Sequence, residues 1–171
     1  FFAFVPMVVA TLVFALLAFK YAGRGMAMFT ILGFAFIDMI GLWPETMTTL
    51  SMILTSVLFC TIIGVPVGIL AARSDLTWKI ARPVLDIMQT IPSFVYLVPI
   101  VMLFGVGMAP GIIATIIFAL PPIIRLTNLG IRNVRTDLIE ASTAFGSTPM
   151  QMLFELQLPL AMRTILAGLN Q

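Results

Sequence analysis

Side chains that could catalyse a reaction are scarce in this 171-residue sequence. There is no histidine and only one cysteine, Cys60, so no metal cluster and no nucleophile paired with a base stands out. Gly105 and Gly107 follow an apolar run without the lysine and hydroxyl residue of a phosphate-binding loop, so this pair predicts a turn. We therefore expect a chain that is not an enzyme, holds no metal or other cofactor, and leaves any nucleotide to another subunit.

The composition is typical of a membrane protein. Hydrophobic residues make up 61% of the chain and charged residues 9%, and the mean hydropathy is +1.15. In soluble domains about a quarter of the residues are charged. The net charge of +2 is too small to indicate a nucleic-acid partner. We expect an all-α, polytopic membrane helix bundle, because helices satisfy their own backbone hydrogen bonds in lipid.

Apolar segments long enough to cross a bilayer divide the chain into five candidate spans and the start of a sixth. The uncharged run over residues 87–124 is too long for one crossing, so it has to fold back near residues 104–111, which are rich in glycine and proline. The predicted spans are residues 1–19, 26–43, 47–72, 87–104 and 110–124, with another beginning after residue 163. We expect these to form a single transmembrane domain that is truncated at both ends.

The basic residues indicate the orientation of these spans, because short cytoplasmic loops carry the positive charges. All of them lie in alternate connections, namely Lys20 and Arg24, then Arg73, Lys79 and Arg82, then Arg125, Arg132, Arg135 and Arg163. This pattern predicts that the amino end lies outside and that the loop over residues 125–163 is cytoplasmic.

Within that loop, the residues before Gly146 predict a short amphipathic helix. Asp137 and Glu140 have the spacing of a helix start, with a carboxylate at the positive helix end. Leu138 and Phe145 fall on one face, together with small residues between them. Gly146 is placed where a left-handed residue ends a helix.

A second short helix is predicted directly after this glycine. Residues 148–151 form a capping box with proline at the first helical position, and Pro159 is expected to stop the helix at about Leu158. Met150, Leu153 and Phe154 would form its apolar face. Neither helix is long enough to be stable alone. Both could lie on the membrane surface or on their own bundle, but they lack the basic face of interfacial helices, which favours a protein partner.

The same residues resemble the EAA signature of permease subunits in binding-protein-dependent ABC importers. The matching positions are Glu140, Ala141, Ser142, Gly146, Leu156, Leu158 and Pro159. Ser142 stands where alanine is usual, and Leu156 where isoleucine is usual. Residues 83–105 and 117–127 resemble the glycine betaine/proline betaine subgroup, and the whole resemblance covers about residues 42–171.

The resemblance implies a type I importer transmembrane domain in a bacterial cell membrane, normally a homodimer on two ATPase subunits. These subunits would bind ATP and Mg²⁺, and an external binding protein would deliver glycine betaine, proline betaine or choline for transport by alternating access. The ATPase-coupling residues would be Glu140, Ala141, Ser142, Gly146, Leu158 and Pro159. The alternative is that Glu140 only caps its helix and Gly146 only ends it.

The fourth predicted span is expected to line the pathway of such a solute. A quaternary ammonium has no N–H group to donate, whereas aromatic rings can attract it by cation–π contact. The candidate pathway residues are Gln89, Thr90, Ser93, Phe94 and Tyr96. The alternative is that the aromatic residues only pack against lipid or helices. A permease for another solute, such as a sulfonate or amino acid, stays open, as does a secondary transporter, although most spans lack the deep charge that such proteins use.

Overall fold

The computed structural model describes residues 6–171, and within them it contains helices and turns but no strand. The helices in chain order are α1 Met7–Ala22, α2 Arg24–Met39, α3 Trp43–Arg73, α4 Asp75–Thr90, α5 Ser93–Phe104, α6 Met108–Arg132, α7 Thr136–Ala144, α8 Pro149–Gln151 and α9 Leu158–Leu169. A π-helical segment, Met152–Gln157, joins α8 to α9. The predicted all-α class is confirmed.

The chain divides into two compact units. The first extends to Leu54 and contains α1, α2 and the start of α3. Phe34 of α2 meets Phe14 edge-to-face at 5.6 Å between ring centroids, and it meets Trp43 at 5.8 Å. The span predicted at residues 1–19 corresponds to α1, and its first five residues lie outside the described part of the chain.

The second predicted span, residues 26–43, extends too far. Helix α2 ends at Met39, and Gly41 has a φ of 76°, a left-handed conformation that ends a helix. Trp43 then begins α3 instead of ending α2. The third prediction, residues 47–72, lies inside α3.

The second unit, Thr55–Gln171, is built on close contacts among α3, α6 and α9. Gly68 of α3 lies so near α6 that an added Cβ would be 2.5 Å from the Cβ of Thr127. Gly168 of α9 approaches α6 in a similar way. Small residues at such positions let helix backbones pack closely in a membrane, where the hydrophobic effect does not drive association.

Three helical stretches of the described chain are long and apolar enough to cross a membrane, namely Trp43–Arg73, Met108–Arg132 and Pro149–Leu169. The bent pair α4 and α5 would make a fourth. The predicted fifth span, residues 110–124, lies inside α6, which has 25 residues. Pro121 and Pro122 lie inside α6 without ending it, as membrane helices tolerate.

The predicted span over residues 87–104 is not one helix. Helix α4 ends at Thr90, α5 begins at Ser93, and the two meet at a 90° bend. Ile91 is extended, with φ −80° and ψ 125°, as the residue before a proline prefers. The sequence-based prediction also missed the start of α4, where the Ser74 hydroxyl accepts a hydrogen bond from the Thr77 amide at 3.2 Å.

Candidate coupling segment and solute pathway

The first helix of the candidate coupling segment, residues 136–159, starts differently from the prediction. Helix α7 begins at Thr136, and no side chain caps its amino end. Asp137 instead accepts a hydrogen bond from the Nε of Arg135 at 3.0 Å. The carboxylate that was expected to cap the helix is therefore paired with a neighbouring guanidinium. The acidic residue still lies in the first turn, where the helix dipole favours it.

The turn at Gly146 has the hydrogen bonds of a Schellman motif. The Ser147 amide donates to the carbonyl of Ser142 at 3.1 Å, and the Gly146 amide donates to the carbonyl of Thr143 at 2.9 Å. Gly146 has a φ of 83°, the left-handed conformation that its sequence position predicts. Within the predicted signature, Ser142 and Gly146 therefore build the turn that ends α7.

The second helix starts as predicted. The Thr148 hydroxyl accepts a hydrogen bond from the Gln151 amide at 3.3 Å, and the Gln151 side chain accepts one from the Thr148 amide at 2.9 Å. These two bonds form a capping box, with Pro149 at the first helical position. The start of this helix is thus fixed by residues that are adjacent in sequence.

The predicted stop before Pro159 is wrong. The chain continues as a helix from Pro149 to Leu169. In a regular α-helix a proline lacks one hydrogen bond and clashes with the carbonyl four residues earlier. The wider π-helical turn over Met152–Gln157 precedes Pro159, and such turns relieve that conflict.

The apolar residues of the candidate coupling segment do not share one buried face. Phe145 is 91% exposed, Met150 61% and Phe154 57%. Leu153 is buried instead, in a cluster with Ile131, Ala161 and Ile165. The predicted apolar face of the second helix is therefore divided between the core and an exposed surface.

The predicted coupling residues also divide by exposure. Glu140, Ala141, Gly146 and Pro159 are exposed, whereas Ser142 and Leu158 are partly buried. Leu158 packs against the buried cluster that contains Leu153. The exposed apolar side chains thus lie in the same segment as the four exposed coupling residues, and such exposed apolar side chains are typical of an interaction surface.

Arg73, a basic residue that served above only to predict the orientation of the spans, joins this segment to α3 by a hydrogen bond. Arg73 donates from Nη2 to the carbonyl of Pro149 at 2.6 Å. Both residues, with Arg132, Ile139 and Met152, line a cavity of about 780 Å³. The hydrogen bond joins residues 76 positions apart, so no local pattern could have indicated it.

Arg132 connects three other parts of this unit. Its guanidinium donates to the Asn128 side chain at 2.9 Å, to the Ala71 carbonyl at 3.0 Å and to the Asp75 carboxylate at 2.7 Å. The ends of α3 and α6 and the start of α4 are thereby held together. A second ion pair, Arg125 with Asp86 at 2.5 Å, links α4 to α6.

The candidate pathway residues fall into separate groups. The Tyr96 hydroxyl donates to the carbonyl of Ile87 at 3.0 Å, across the bend between α4 and α5, and the Thr90 hydroxyl donates to the same carbonyl at 3.2 Å. Ser93 and Phe94 instead line a cavity of about 420 Å³. Gln89 is exposed on α4 and does not line that cavity.

Comparison with known families identifies the chain. Residues 64–170 match the family described as "Binding-protein-dependent transport system inner membrane component". The chain belongs to this family. The EAA signature and the coupling helix are typical of it, so the resemblance predicted from Glu140 to Pro159 is confirmed.

Relatives of this inner-membrane-component family include two permeases from well-known bacteria. The chain is 60% identical over 166 residues to the glycine betaine/proline betaine transport system permease protein ProW of Escherichia coli (strain K12), covering 97% of this chain and 47% of the relative. It is 51% identical over 168 residues to the glycine betaine transport system permease protein OpuAB of Bacillus subtilis (strain 168), covering 98% and 60%. The chain thus spans about half the length of these relatives.

A solved structure supports the fold of this family member. The MetNI methionine ABC transporter, described in inward-facing conformations, matches with a TM-score of 0.63 and 28% sequence identity. The match covers 72% of this chain and 63% of the other. The predicted class, an ABC transporter transmembrane domain, is confirmed.

Proposed function

We propose that this chain forms the permease of an ATP-driven importer that carries methylated ammonium solutes into the cell. The identity of 60% over 166 residues with a glycine betaine/proline betaine permease carries this proposal. Other relatives are named for glycine betaine and carnitine or for trimethylamine N-oxide. A nitrogen bearing several methyl groups is common to all of these solutes, so we propose glycine betaine, proline betaine or choline as the substrate.

The candidate coupling segment would dock on an ATPase partner. The exposed Phe145, Met150 and Phe154 supply an apolar surface, and Glu140 and Ala141 are exposed in the same segment. We propose two ATPase subunits, which bind and hydrolyse ATP with Mg²⁺, beneath two copies of this chain. The chain itself would hold no cofactor and catalyse no reaction.

Transport would then proceed by alternating access. Closure of the ATPase subunits on ATP would shift the docked segment, and the permease would change from an inward-facing to an outward-facing arrangement. The Arg73 to Pro149 hydrogen bond and the buried Leu153 provide routes from the segment into α3 and the core. Solute delivered by an external binding protein would pass near the bend between α4 and α5.

The proposed pathway includes Gln89, Thr90, Ser93, Phe94 and Tyr96. Discontinuous helices of this kind are used by transporters to form solute sites. The orientation that we propose, with the amino end of α1 outside and residues 125–163 in the cytoplasm, is supported by the basic residues in alternate connections.

Reconstitution of the full-length permease tests this function. The permease, its ATPase and its binding protein would be placed in lipid vesicles, and ATP hydrolysis and uptake would be measured with glycine betaine, choline, taurine and methionine. We expect glycine betaine to stimulate both. Strongest stimulation by methionine would favour an amino-acid importer, in line with the methionine transporter's similarity. Uptake that needs an ion gradient but no ATP would refute the proposal.

A further inference from the structure

A cavity of about 420 Å³ lies between α5 and α6, beside the bend in the α4–α5 pair. Its main lining residues are Ser93, Phe94, Leu97, Gly111, Thr115 and Phe118. None of its lining residues carries a charge. The cavity is therefore a mostly apolar space with two hydroxyl groups and two aromatic rings.

The two rings come from different helices and are accessible in the chain. Phe94 is 68% exposed and Phe118 is 50% exposed. An aromatic ring presents negative charge density on its faces, so two rings that line one cavity can attract a cation without a carboxylate. A cation with methyl groups fits such a site best, because it is also large and apolar at its surface.

The two hydroxyl groups differ in their availability. Thr115 donates to the carbonyl of Gly111 within its own helix at 2.7 Å. The Ser93 hydroxyl donates to no group among the described residues, so it can bind a solute oxygen. Each solute considered above has such an oxygen close to its methylated nitrogen, as a carboxylate, a hydroxyl or an N-oxide.

We infer that this cavity is a transient binding site for the methylated ammonium head of the transported solute. Phe94 and Phe118 hold the cation by their ring faces, and Ser93 donates a hydrogen bond to the solute oxygen. This inference rests on the proposed function and locates its substrate contact. The absence of a carboxylate among the lining residues keeps binding weak, which a transport site needs because the solute has to leave again.

Fluorine NMR tests occupancy directly. In the full-length complex in lipid nanodiscs, 4-fluorophenylalanine replaces Phe118, and choline is compared with 3,3-dimethylbutan-1-ol, which has the same shape but no charge. We expect a saturable shift of the fluorine signal with choline and none with the alcohol. The same label at Phe104, which is exposed on α5 and does not line the cavity, should not respond.

Two results would overturn the inference. A signal at Phe118 that does not change saturably with choline means that the cation does not bind there. An equal response to the neutral alcohol means that the cavity takes any apolar group, such as a lipid chain. Both results leave the proposed function standing, because ATP-driven uptake is measured separately.

Uptake provides the second test. We expect Phe118→Leu to lower ATP-driven glycine betaine uptake about fivefold, a factor that the energy of a single cation–π contact can account for. Phe118→Tyr, which keeps an aromatic ring, should transport as the wild type does. Phe104→Leu should transport as the wild type does. Normal uptake by Phe118→Leu would refute the aromatic site alone, whereas a wild type without ATP-driven uptake would refute the proposed function.

Discussion

Replacing Gly146 by valine should uncouple ATP hydrolysis from transport. Gly146 has a φ of 83°, and an added Cβ would meet nothing within 4 Å, so the substitution changes backbone preference without a clash. For L-residues the left-handed conformation costs about 1–2 kcal/mol, and a β-branched side chain makes it still less favourable. That energy lowers the equilibrium constant for forming the native turn by about fivefold to thirtyfold.

The loss would fall on the Schellman turn. The hydrogen bonds from Ser147 to Ser142 and from Gly146 to Thr143 depend on the left-handed residue, and α7 has no buried residue that could hold it in place instead. We expect Gly146→Val to lower uptake by about the factor by which the population of the native turn falls. The same substitution should remove the stimulation of ATP hydrolysis by solute-loaded binding protein.

Gly146→Asn is the matched control, because asparagine tolerates the left-handed conformation and ends helices in the same way. It should keep most uptake and most stimulation. Both variants should assemble with the ATPase, which co-purification would verify. If Gly146→Val assembles and retains uptake together with stimulated hydrolysis, the assignment of this turn to coupling is refuted.

Three further substitutions test other contacts. Gly68→Ala should destabilise the purified protein by about 1–3 kcal/mol through overpacking against α6, and so lower its thermal midpoint. Gly33→Ala, which has open space at its Cβ, should not lower the midpoint, and equal midpoints for the two variants would refute the close α3–α6 packing. Arg73→Met removes the donor to the Pro149 carbonyl, so solute-stimulated hydrolysis should fall severalfold and partly recover in Arg73→Lys; unchanged stimulation would exclude this route of coupling. Tyr96→Phe removes a hydrogen bond worth about 1 kcal/mol across the α4–α5 bend, so spin-label distances between these helices should broaden, and an unchanged distribution would show that other contacts fix the bend.

Features that depend on neighbouring residues could be predicted from the sequence. The capping box at residues 148–151 and the left-handed Gly146 are encoded by residues within one helical turn, so cap chemistry alone located both. The family resemblance was drawn from the same stretch, and the match of residues 64–170 to the family confirms it. Even here the start of α7 was misjudged, because Arg135 competes for the Asp137 carboxylate.

Prolines were the main source of error. Pro159 was expected to end a helix, but the helix continues through it after the π-helical turn. Pro121 and Pro122 lie inside α6, as the predicted fifth span over residues 110–124 had placed them. Pro92, in contrast, does break the helix, at the 90° bend. The sequence around each proline does not distinguish these outcomes, because they depend on which other helices support the freed carbonyl groups.

Contacts between distant parts of the chain could not be predicted at all. The hydrogen bond of Arg73 to Pro149 joins two helices whose bonded residues are 76 positions apart in the sequence. The sequence did not indicate that Phe118 lines the same cavity as Phe94, because a phenylalanine in an apolar helix is indistinguishable from a packing residue until the cavity is known.

The continuous helix from Pro149 to Leu169 indicates that the signature residues have different roles in the proposed coupling to the ATPase. Helix α7 has no buried residue, so its exposed Glu140 and Ala141 are available to a partner. The second helix is anchored by Leu153 in the core and continues through Pro159 into α9. A displacement applied near Met150 therefore moves a helix that reaches into the core. We expect Glu140 and Ala141 to contact the ATPase, and Pro159 to act by setting the wide turn that keeps this helix unbroken.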